Sequence, residues 1–290
     1  ASSDSLTGIS KYFFRVAPSN QAQGIAGAHY VEQTLHAKTA ALFVDPVDPY
    51  SSSLANDFSK QFTADRNSIV ATESYTVGKP QSLPHLITDA LSHNPQPDVI
   101  YFSGYAADIG ILLINLPTSA PPVMGGDALY ELGGYSSSAH AKFSLLHFTS
   151  FAFPDEWDVQ SLTAQKPQFF GEYSQDFDPK GLNRGLNGGG IYGFSRADGD
   201  VILSYDAMEA LLAASNIALS GGKTSFTPDQ LQQALTQIKG ANAIQGVSGQ
   251  IAFGSNGDPV DKAFVILHVT GGGFIQEEPK VVGTFLKPKS

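Results

Sequence analysis

The sequence predicts an α/β fold organised around a doubly wound parallel sheet. Short apolar runs alternate with helical segments through the first half of the chain, and this alternation indicates βαβ units. The run from Thr39 to Asp45 is too short for a helix and is apolar almost throughout, as expected of a strand buried on both faces. The chain has 290 residues, of which 42% are hydrophobic, and this is enough for a large core.

The elements of the first half follow one another in a regular order. The first helix is predicted to begin after a Ser19-Asn20 cap, because apolar residues then recur at three- and four-residue spacing. A second helix is predicted after Pro49. The chain then alternates between strand and helix, giving a strand at 68–75, a helix at 83–91, a strand at 98–102, a helix at 106–116, and strands at 121–124 and 143–153.

The second half has a different organisation. Residues 154–200 contain several prolines and a glycine cluster, and they are predicted to form a crossover and an irregular connection. A long amphipathic helix is predicted over 201–219, and Thr227 with Pro228 marks the start of the next one. The end of the chain is predicted to be β, with Asn256-Gly257 as the turn of a hairpin that joins strands at 249–253 and 263–270.

Composition excludes several classes of function. The chain has 17 basic and 27 acidic side chains and a net charge of −10, so nucleic acid and anionic membranes are not expected as partners. It has no cysteine, which excludes disulfides, thiolate chemistry and iron–sulfur clusters. No run approaches the ~18 consecutive apolar residues of a membrane-spanning helix. We therefore expect a globular α/β protein without a metal or cofactor.

The signatures of the common enzyme classes are also missing. Gly221-Gly222-Lys223-Thr224 resembles the end of a phosphate loop, but Ile217 occupies the position of the required first glycine, and the stretch follows a helix instead of a strand. The 7 histidines form no His-x-x-x-His pair, and the chain has no Gly-x-Ser-x-Gly elbow. A non-enzymatic function is therefore favoured over an enzyme on the same kind of fold.

Polar side chains follow three of the predicted strands. The first of these loops contains Tyr50, the second contains Ser103 and Tyr105, and the third contains Asp127. In an open parallel sheet the carboxyl ends of the strands lie on one edge, where ligands bind. Taken singly, each residue is equally compatible with an ordinary turn. Together, two phenols, a hydroxyl and a carboxylate predict a pocket for a small polar ligand that carries a cation or an amide.

Several stretches resemble a known family. They are Lys11 to Asn20 followed by Gln23-Gly24, Asp48-Pro49-Tyr50, Phe102 to Tyr105, Met124 to Leu129, Tyr205-Asp206-Ala207, and Gly246 to Phe253 followed by Asn256-Gly257-Asp258. In these stretches and in their order along the chain, the sequence is similar to type I periplasmic solute-binding proteins. These proteins are the branched-chain amino acid (Leu/Ile/Val) receptors of ABC importers.

The resemblance implies a two-lobe periplasmic-binding-protein type I fold with doubly wound parallel sheets. Residues 1–16 would be a strand and hinge of the first lobe, 17–155 a complete second lobe, 156–200 the crossover, and 201–290 the remainder of the first lobe. Family members usually have a longer N-terminal part before the matching region, so the first lobe is expected to be incomplete. Such a lobe would expose an apolar face, which predicts either self-association through it or that the chain is a fragment of a longer folded protein.

The resemblance also implies a function and a set of site residues. An extracytoplasmic bacterial protein would capture an amino acid or a related ligand between its lobes and deliver it to an ABC permease; a ligand-sensing domain of a larger signalling receptor is the alternative. Asp127 would hold the α-amino group, Tyr50 and Tyr105 would line the cleft, and Ala1 and Ser2 would meet the ligand carboxylate, with Ser2 supplying the hydroxyl. Asp200 departs from the pattern, because the family has an aromatic residue there.

Overall fold

The computed structural model describes residues 2–130, 135, 137–177, 179, 197–270 and 274–287. The helices are α1 (Asn20–Gln33), α2 (Pro49–Ala64), α3 (Leu83–Leu91), α4 (Ala106–Asn115), α5 (Glu156–Val159), α6 (Phe169–Phe177), α7 (Gly199–Ala218) and α8 (Pro228–Leu235). The strands are β1 (Thr39–Val44), β2 (Ser68–Ser74), β3 (Val99–Ser103), β4 (Val123–Gly125), β5 (Leu146–Ser150), β6 (Ile244–Gly246), β7 (Gly249–Ile251), β8 (Phe264–Thr270) and β9 (Phe274–Val282).

A seven-stranded sheet with the order β2-β1-β3-β4-β5-β8-β9 forms the centre of the fold. The strands from β2 to β5 run parallel to their neighbours, whereas β8 and β9 are antiparallel additions at one side. Val44 at the end of β1 lies opposite Ser103 at the end of β3, and Phe102 lies opposite Gly125 at the end of β4. The carboxyl ends of these three neighbouring strands therefore meet at one edge.

The core covers both faces of this sheet. In β1, Ala41 and Phe43 point into one apolar layer, while Ala40, Leu42 and Val44 point into the other. The first layer packs under α3 and α4, and the second packs under α1 and α2, where Phe58 of α2 stacks on Tyr101 of β3 with ring centroids 3.7 Å apart. The prediction that β1 is buried on both faces is confirmed, and with it the doubly wound α/β arrangement of the first half.

A smaller group of elements packs beside the sheet. It consists of the segment 12–17, helices α7 and α8, and the β6-β7 hairpin, which share an apolar cluster around Phe253. Phe14 contacts Phe253 edge to face at 5.2 Å. Among the described residues this group holds a two-stranded hairpin and no parallel sheet of its own, so the expectation of a second doubly wound sheet is not met within them.

Helix α7 is long and apolar enough to cross a membrane by length and composition, although the sequence predicted no such segment. About a third of the apolar stretch in this helix is buried inside the fold. Its Asp206 is fully buried and accepts hydrogen bonds from the hairpin residues Val247 and Ser248. Hydrogen bonds to Asp206 therefore join α7 to the β6-β7 hairpin.

The structure differs from the sequence prediction in the C-terminal strands. We predicted one hairpin around Asn256-Gly257, but β7 pairs with β6, and β8 crosses to the large sheet and pairs with β5. The predicted turn does form locally, since Phe253 and Pro259 make an isolated antiparallel bridge across it. As a consequence, β8 and β9 lie in the same sheet as the strands of 17–155, although the sequence assigned 201–290 to the first lobe.

Most other boundaries agree closely with the prediction. Ser19 caps α1 by accepting from the Ala22 N–H, and Thr227 forms a capping box with Gln230 at the start of α8. The strand predicted over 143–153 is confined to β5, because a 3₁₀ helix over Ser137–Leu145 precedes it. Of the predicted crossover, residues 178 and 180–196 lie outside the described part of the chain.

Candidate ligand-binding site

The predicted site residues Tyr50, Tyr105 and Asp127 lie at the shared edge of β1, β3 and β4, which we call the rim. Tyr50 stands in the first turn of α2, whose N-cap Asp48 accepts a hydrogen bond from the Ser51 N–H. Tyr105 occupies the N-cap position of α4, and Asp127 begins a short 3₁₀ helix after β4. Local sequence places each residue at a helix start, and the parallel register of the strands brings the three starts together.

Asp127 is the centre of the hydrogen bonding at this edge. Its Oδ1 accepts from the Tyr50 hydroxyl and from Gln23 Nε2, each at 2.8 Å. The Tyr50 oxygen in turn accepts from the Ala128 N–H at 3.3 Å. Burial raises the pKa of Asp127, and the hydrogen bonds from Gln23 and Tyr50 act in the opposite direction because they favour the ionised carboxylate. Both of these side-chain donors meet Oδ1, and neither of them contacts Oδ2.

Tyr50 is held as a neutral donor. Burial, together with the negative charge of Asp127, raises the pKa of Tyr50 well above its ordinary value. Its close approach requires glycine at position 126, since a Cβ there would lie 2.4 Å from the Tyr50 hydroxyl oxygen and 2.5 Å from Leu54 Cδ2. Gly126 therefore allows the phenol to reach the carboxylate one residue further along the chain.

Tyr105 completes an aromatic pair on the rim. Its ring lies 5.3 Å from that of Tyr50 at an interplanar angle of 40°. The Tyr105 hydroxyl lies 3.5 Å from Asp48 Oδ1, at the outer limit of a hydrogen bond. Both phenols are half-buried, so the two rings form one aromatic surface at the rim.

Ser103 is placed differently from the expectation. It is fully buried, and its hydroxyl donates to the Ser51 carbonyl at 2.7 Å, while the Ser51 hydroxyl donates to the Ser103 carbonyl. The Tyr75 hydroxyl donates to the same carbonyl. Ser103 therefore joins the end of β3 to the start of α2, and this reciprocal pairing uses its hydroxyl inside the protein instead of at the rim.

Ser2 is connected to the rim residue Tyr50 by hydrogen bonds through Asn20. Its carbonyl accepts from the Asn20 N–H at 2.7 Å. Asn20 Nδ2 then donates to the Ser53 hydroxyl at 2.7 Å and reaches the Tyr50 carbonyl at 3.3 Å. The N-terminal segment is thus fixed against the starts of α1 and α2. Ala1, the neighbouring predicted site residue, lies outside the described residues.

The sequence interpretation missed three polar residues behind the rim. Asn20 and Gln23 are fully buried, and Thr149 of β5 is nearly so. A signal was available, because Asn20 and Gln23 extend the buried stripe of α1 formed by Gly24, Ala28 and Val31 towards its N-terminus. Polar residues on a buried helical stripe need internal partners, and here they contact the site.

Two open grooves lie on the smaller group of elements. One of about 570 Å³ runs between the segment 12–17 and α7 and has Asp200 in its wall. The other, of about 750 Å³, lies along the strand β7 and the turn that follows it. Neither is lined by Tyr50, Tyr105 or Asp127. Burial is the main cause of the raised pKa of Asp127, and the negative charge of Asp200 adds a smaller contribution.

The described residues contain no group of three or more His, Asp or Glu side chains placed to hold a metal ion. The arrangement at the rim instead suits recognition of a small molecule: a carboxylate for a cation, two phenols for an apolar or aromatic group, and polar groups on a neighbouring segment.

Comparison with known proteins agrees with this description. No protein-family model and no curated protein matches the sequence. Among solved structures, the leucine-binding protein LivK of Thermotoga maritima is 23% identical, with a TM-score of 0.69 over 94% of this chain and 68% of that one. The LivJ substrate-binding protein of Streptococcus pneumoniae, in complex with isoleucine, is 19% identical, with a TM-score of 0.70 over 96% of this chain and 70% of that one.

A third solved structure extends the range of ligands in these neighbours. A solute-binding protein of an R. palustris ABC transporter, in complex with 4-hydroxybenzoate, is 14% identical, with a TM-score of 0.69 over 98% of this chain and 71% of that one. The likeness shows the fold: the chain has the α/β architecture of type I periplasmic solute-binding proteins, as the sequence resemblance implied. The three neighbours are a leucine-binding protein, a branched-chain amino acid transporter substrate-binding protein, and a solute-binding protein of an ABC transporter.

Proposed function

We propose that this chain is an extracytoplasmic solute-binding protein that captures a small amino acid or a closely related molecule and presents it to an ABC permease. The observation that carries the proposal is the geometry of Asp127. A half-buried carboxylate has one oxygen held by two internal donors, beside a pair of half-buried phenols, at the edge where a parallel sheet binds ligands. The fold shared with solute-binding proteins supports the same function.

The chemistry of the rim favours an amino acid over an aromatic acid. The α-amino cation of an amino acid would pair with Asp127 Oδ2, and its side chain would contact Tyr50 and Tyr105. The Ser2 hydroxyl, on the segment tied to Tyr50 through Asn20, would meet the ligand carboxylate. A benzoate, as bound by the R. palustris protein, has no cation and would be repelled by Asp127.

Titration calorimetry with L-leucine, L-isoleucine and 4-hydroxybenzoate tests this proposal. We expect saturable one-to-one binding of at least one amino acid and markedly weaker binding of 4-hydroxybenzoate. Because binding to the native state stabilises it, the preferred amino acid should also raise the melting temperature in proportion to the logarithm of its concentration. Preferential binding of the benzoate, or of neither class, would contradict the proposed ligand class.

The proposal includes self-association through α7. Large apolar side chains stand on its outer face, with Met208 56% and Leu212 53% exposed, and Tyr205 and Leu211 lie beside them. Contiguous exposed apolar surface of this kind marks interaction sites. Light scattering is expected to show a dimer that Met208→Lys converts to monomer. The same change at Val47, an exposed apolar residue in the loop between β1 and α2, should have no effect. A native monomer at all concentrations would contradict this part of the proposal.

A further inference from the structure

Gln23 forms the internal support of the candidate site. It is fully buried on α1, in the first turn of that helix. Its amide nitrogen donates to Asp127 Oδ1 at 2.8 Å and to Asn20 Oδ1 at 2.9 Å. Its amide oxygen accepts from the Thr149 hydroxyl at 2.6 Å and from the Asp127 N–H at 3.1 Å. One buried side chain thus makes four hydrogen bonds to α1, β5 and the loop after β4.

The contacts with Asp127 have a two-point geometry. The Gln23 nitrogen holds the carboxylate of Asp127, while the Gln23 oxygen holds the backbone N–H of the same residue. Fixing both the main chain and the side chain of one residue leaves the carboxylate little freedom to rotate. The remaining bonds, to Asn20 and Thr149, require the amide oxygen and nitrogen to face in the directions that serve Asp127.

We propose that Gln23 is a positioning residue of the ligand site, which keeps Asp127 ionised and aims its free oxygen at the ligand. This inference rests on the proposed function, because it assigns Asp127 the role of cation acceptor. Gln23 does not touch the ligand in this arrangement. It acts through Asp127, and a neutral donor is required: a carboxylate in its place would repel Asp127, and an apolar side chain would leave the Asp127 oxygen and N–H without these partners.

The chain offers a matched pair of variants for the test. Gln23→Met keeps the length of the side chain and removes its hydrogen bonds. Gln61→Met is the control, because Gln61 also donates from Nε2 to a carboxylate, that of Asp65, at 3.0 Å to each oxygen. This contact lies at the C-terminal end of α2, whereas Tyr50 lies in the first turn of that helix. Thr149→Val is a milder variant, which removes only the donor that fixes the Gln23 amide.

The first measurement needs no ligand. With the aspartate carboxyl carbons labelled with ¹³C, and the Asp127 signal assigned by its loss in Asp127→Asn, an NMR titration follows the ionisation of Asp127 directly. We expect this carboxyl to titrate at higher pH in Gln23→Met than in the native chain. A smaller displacement in the same direction is expected in Thr149→Val, and none in Gln61→Met. Retained melting transitions establish that the variants are folded.

The second measurement is the affinity for L-leucine and L-isoleucine as a function of pH. In Gln23→Met we expect affinity at least tenfold weaker at acidic pH, since a hydrogen bond to a charged group is removed, with the loss shrinking as rising pH ionises Asp127 again. A merely structural role of Gln23 would weaken binding equally at all pH values. Unchanged Asp127 titration in Gln23→Met, or a pH-independent loss, overturns the inference.

These two measurements separate the inference from the proposed function. If the native chain binds neither amino acid while Asp127 still titrates at higher pH in Gln23→Met, Gln23 positions Asp127 as inferred and the proposed ligand class is wrong. If the native chain binds an amino acid and Gln23→Met changes neither the titration nor the affinity, the function stands and the role of Gln23 is refuted.

Discussion

Asp127→Ala is expected to weaken binding of the preferred amino acid by about thirtyfold or more. The charge partner of a desolvated cation contributes ~2–5 kcal/mol when one member of the pair is removed, and 2 kcal/mol corresponds to roughly a thirtyfold change in affinity. The loss has a second source, because Tyr50 and Gln23 both donate to Asp127 Oδ1. Without the carboxylate, these buried donors have no acceptor there.

Asp127→Asn separates the two sources of that loss. Asparagine keeps the size of the side chain and one oxygen acceptor, so it preserves a bond from Tyr50 or Gln23 and removes the negative charge. We expect most of the loss in affinity to persist in this variant. Asp65→Asn is the control, since Asp65 also accepts from a glutamine but lies away from the rim. Calorimetry gives the affinities, and native affinity in folded Asp127→Asn would contradict the assignment of Asp127 as the cation acceptor.

The position of the rim could be predicted from the sequence because it depends on local signals. A continuous apolar run predicts a fully buried strand, and β1 and β3 are such runs. The residues after them are helix starts with recognisable caps, as Asp48 shows for α2. Once the strands are parallel and adjacent, Tyr50, Tyr105 and Asp127 must lie on one edge, and no knowledge of side-chain contacts is needed for that conclusion.

The direction of individual hydroxyl and amide groups could not be predicted in this way. Ser103 has the right position on the rim, but its hydroxyl pairs with Ser51, which is 52 positions distant in sequence. The role of Gln23 depends on Asp127 and Thr149, which are more than a hundred positions away. Spacing along the chain carries no information about contacts of this kind, because they arise only when separate elements pack.

The C-terminal strands show a different limit. Asn256-Gly257 is a sound turn signal, and the turn forms, with Gly257 in the left-handed region at φ = 81°. The strands on either side of it nevertheless pair with other partners, because β8 is buried between β5 and β9 in the large sheet. A short local signal fixes the turn, whereas strand pairing follows from the larger apolar area that β8 buries in the sheet.

A buried ion pair ties the same C-terminal region to α7. Asp206 is fully buried and accepts from the N–H groups of Val247 and Ser248 at 2.7 and 3.0 Å, and also from the Ser248 hydroxyl. Lys262 Nζ lies 3.4 Å from Asp206 Oδ2, with 2% of its side chain exposed. Burial lowers the pKa of Lys262, and the charge of Asp206 opposes this by stabilising the ammonium.

Asp206→Ala is therefore expected to destabilise the fold by about 3–5 kcal/mol, the usual cost of leaving one member of a buried ion pair without its partner. In chains of about 150–250 residues, each kcal/mol of lost unfolding free energy lowers the melting temperature by roughly 2–4 °C. The melting temperature of Asp206→Ala should therefore fall on the order of 10 °C. Calorimetric or urea unfolding measures the change. Asp206→Asn keeps an oxygen acceptor for the hairpin N–H groups and is expected to lose less stability than Asp206→Ala.

Combining Asp206→Leu with Lys262→Met tests whether the loss comes from the unpaired charge. If it does, the double variant should be more stable than Asp206→Ala, since replacing both members of a buried pair with apolar residues removes the uncompensated charge. The backbone donors of Val247 and Ser248 still lose their acceptor in the double variant, so recovery should be incomplete. Equal stability of Asp206→Ala and the double variant would instead assign the whole effect to the hairpin hydrogen bonds, and native stability of Asp206→Ala would show that this network does not hold α7 to the hairpin.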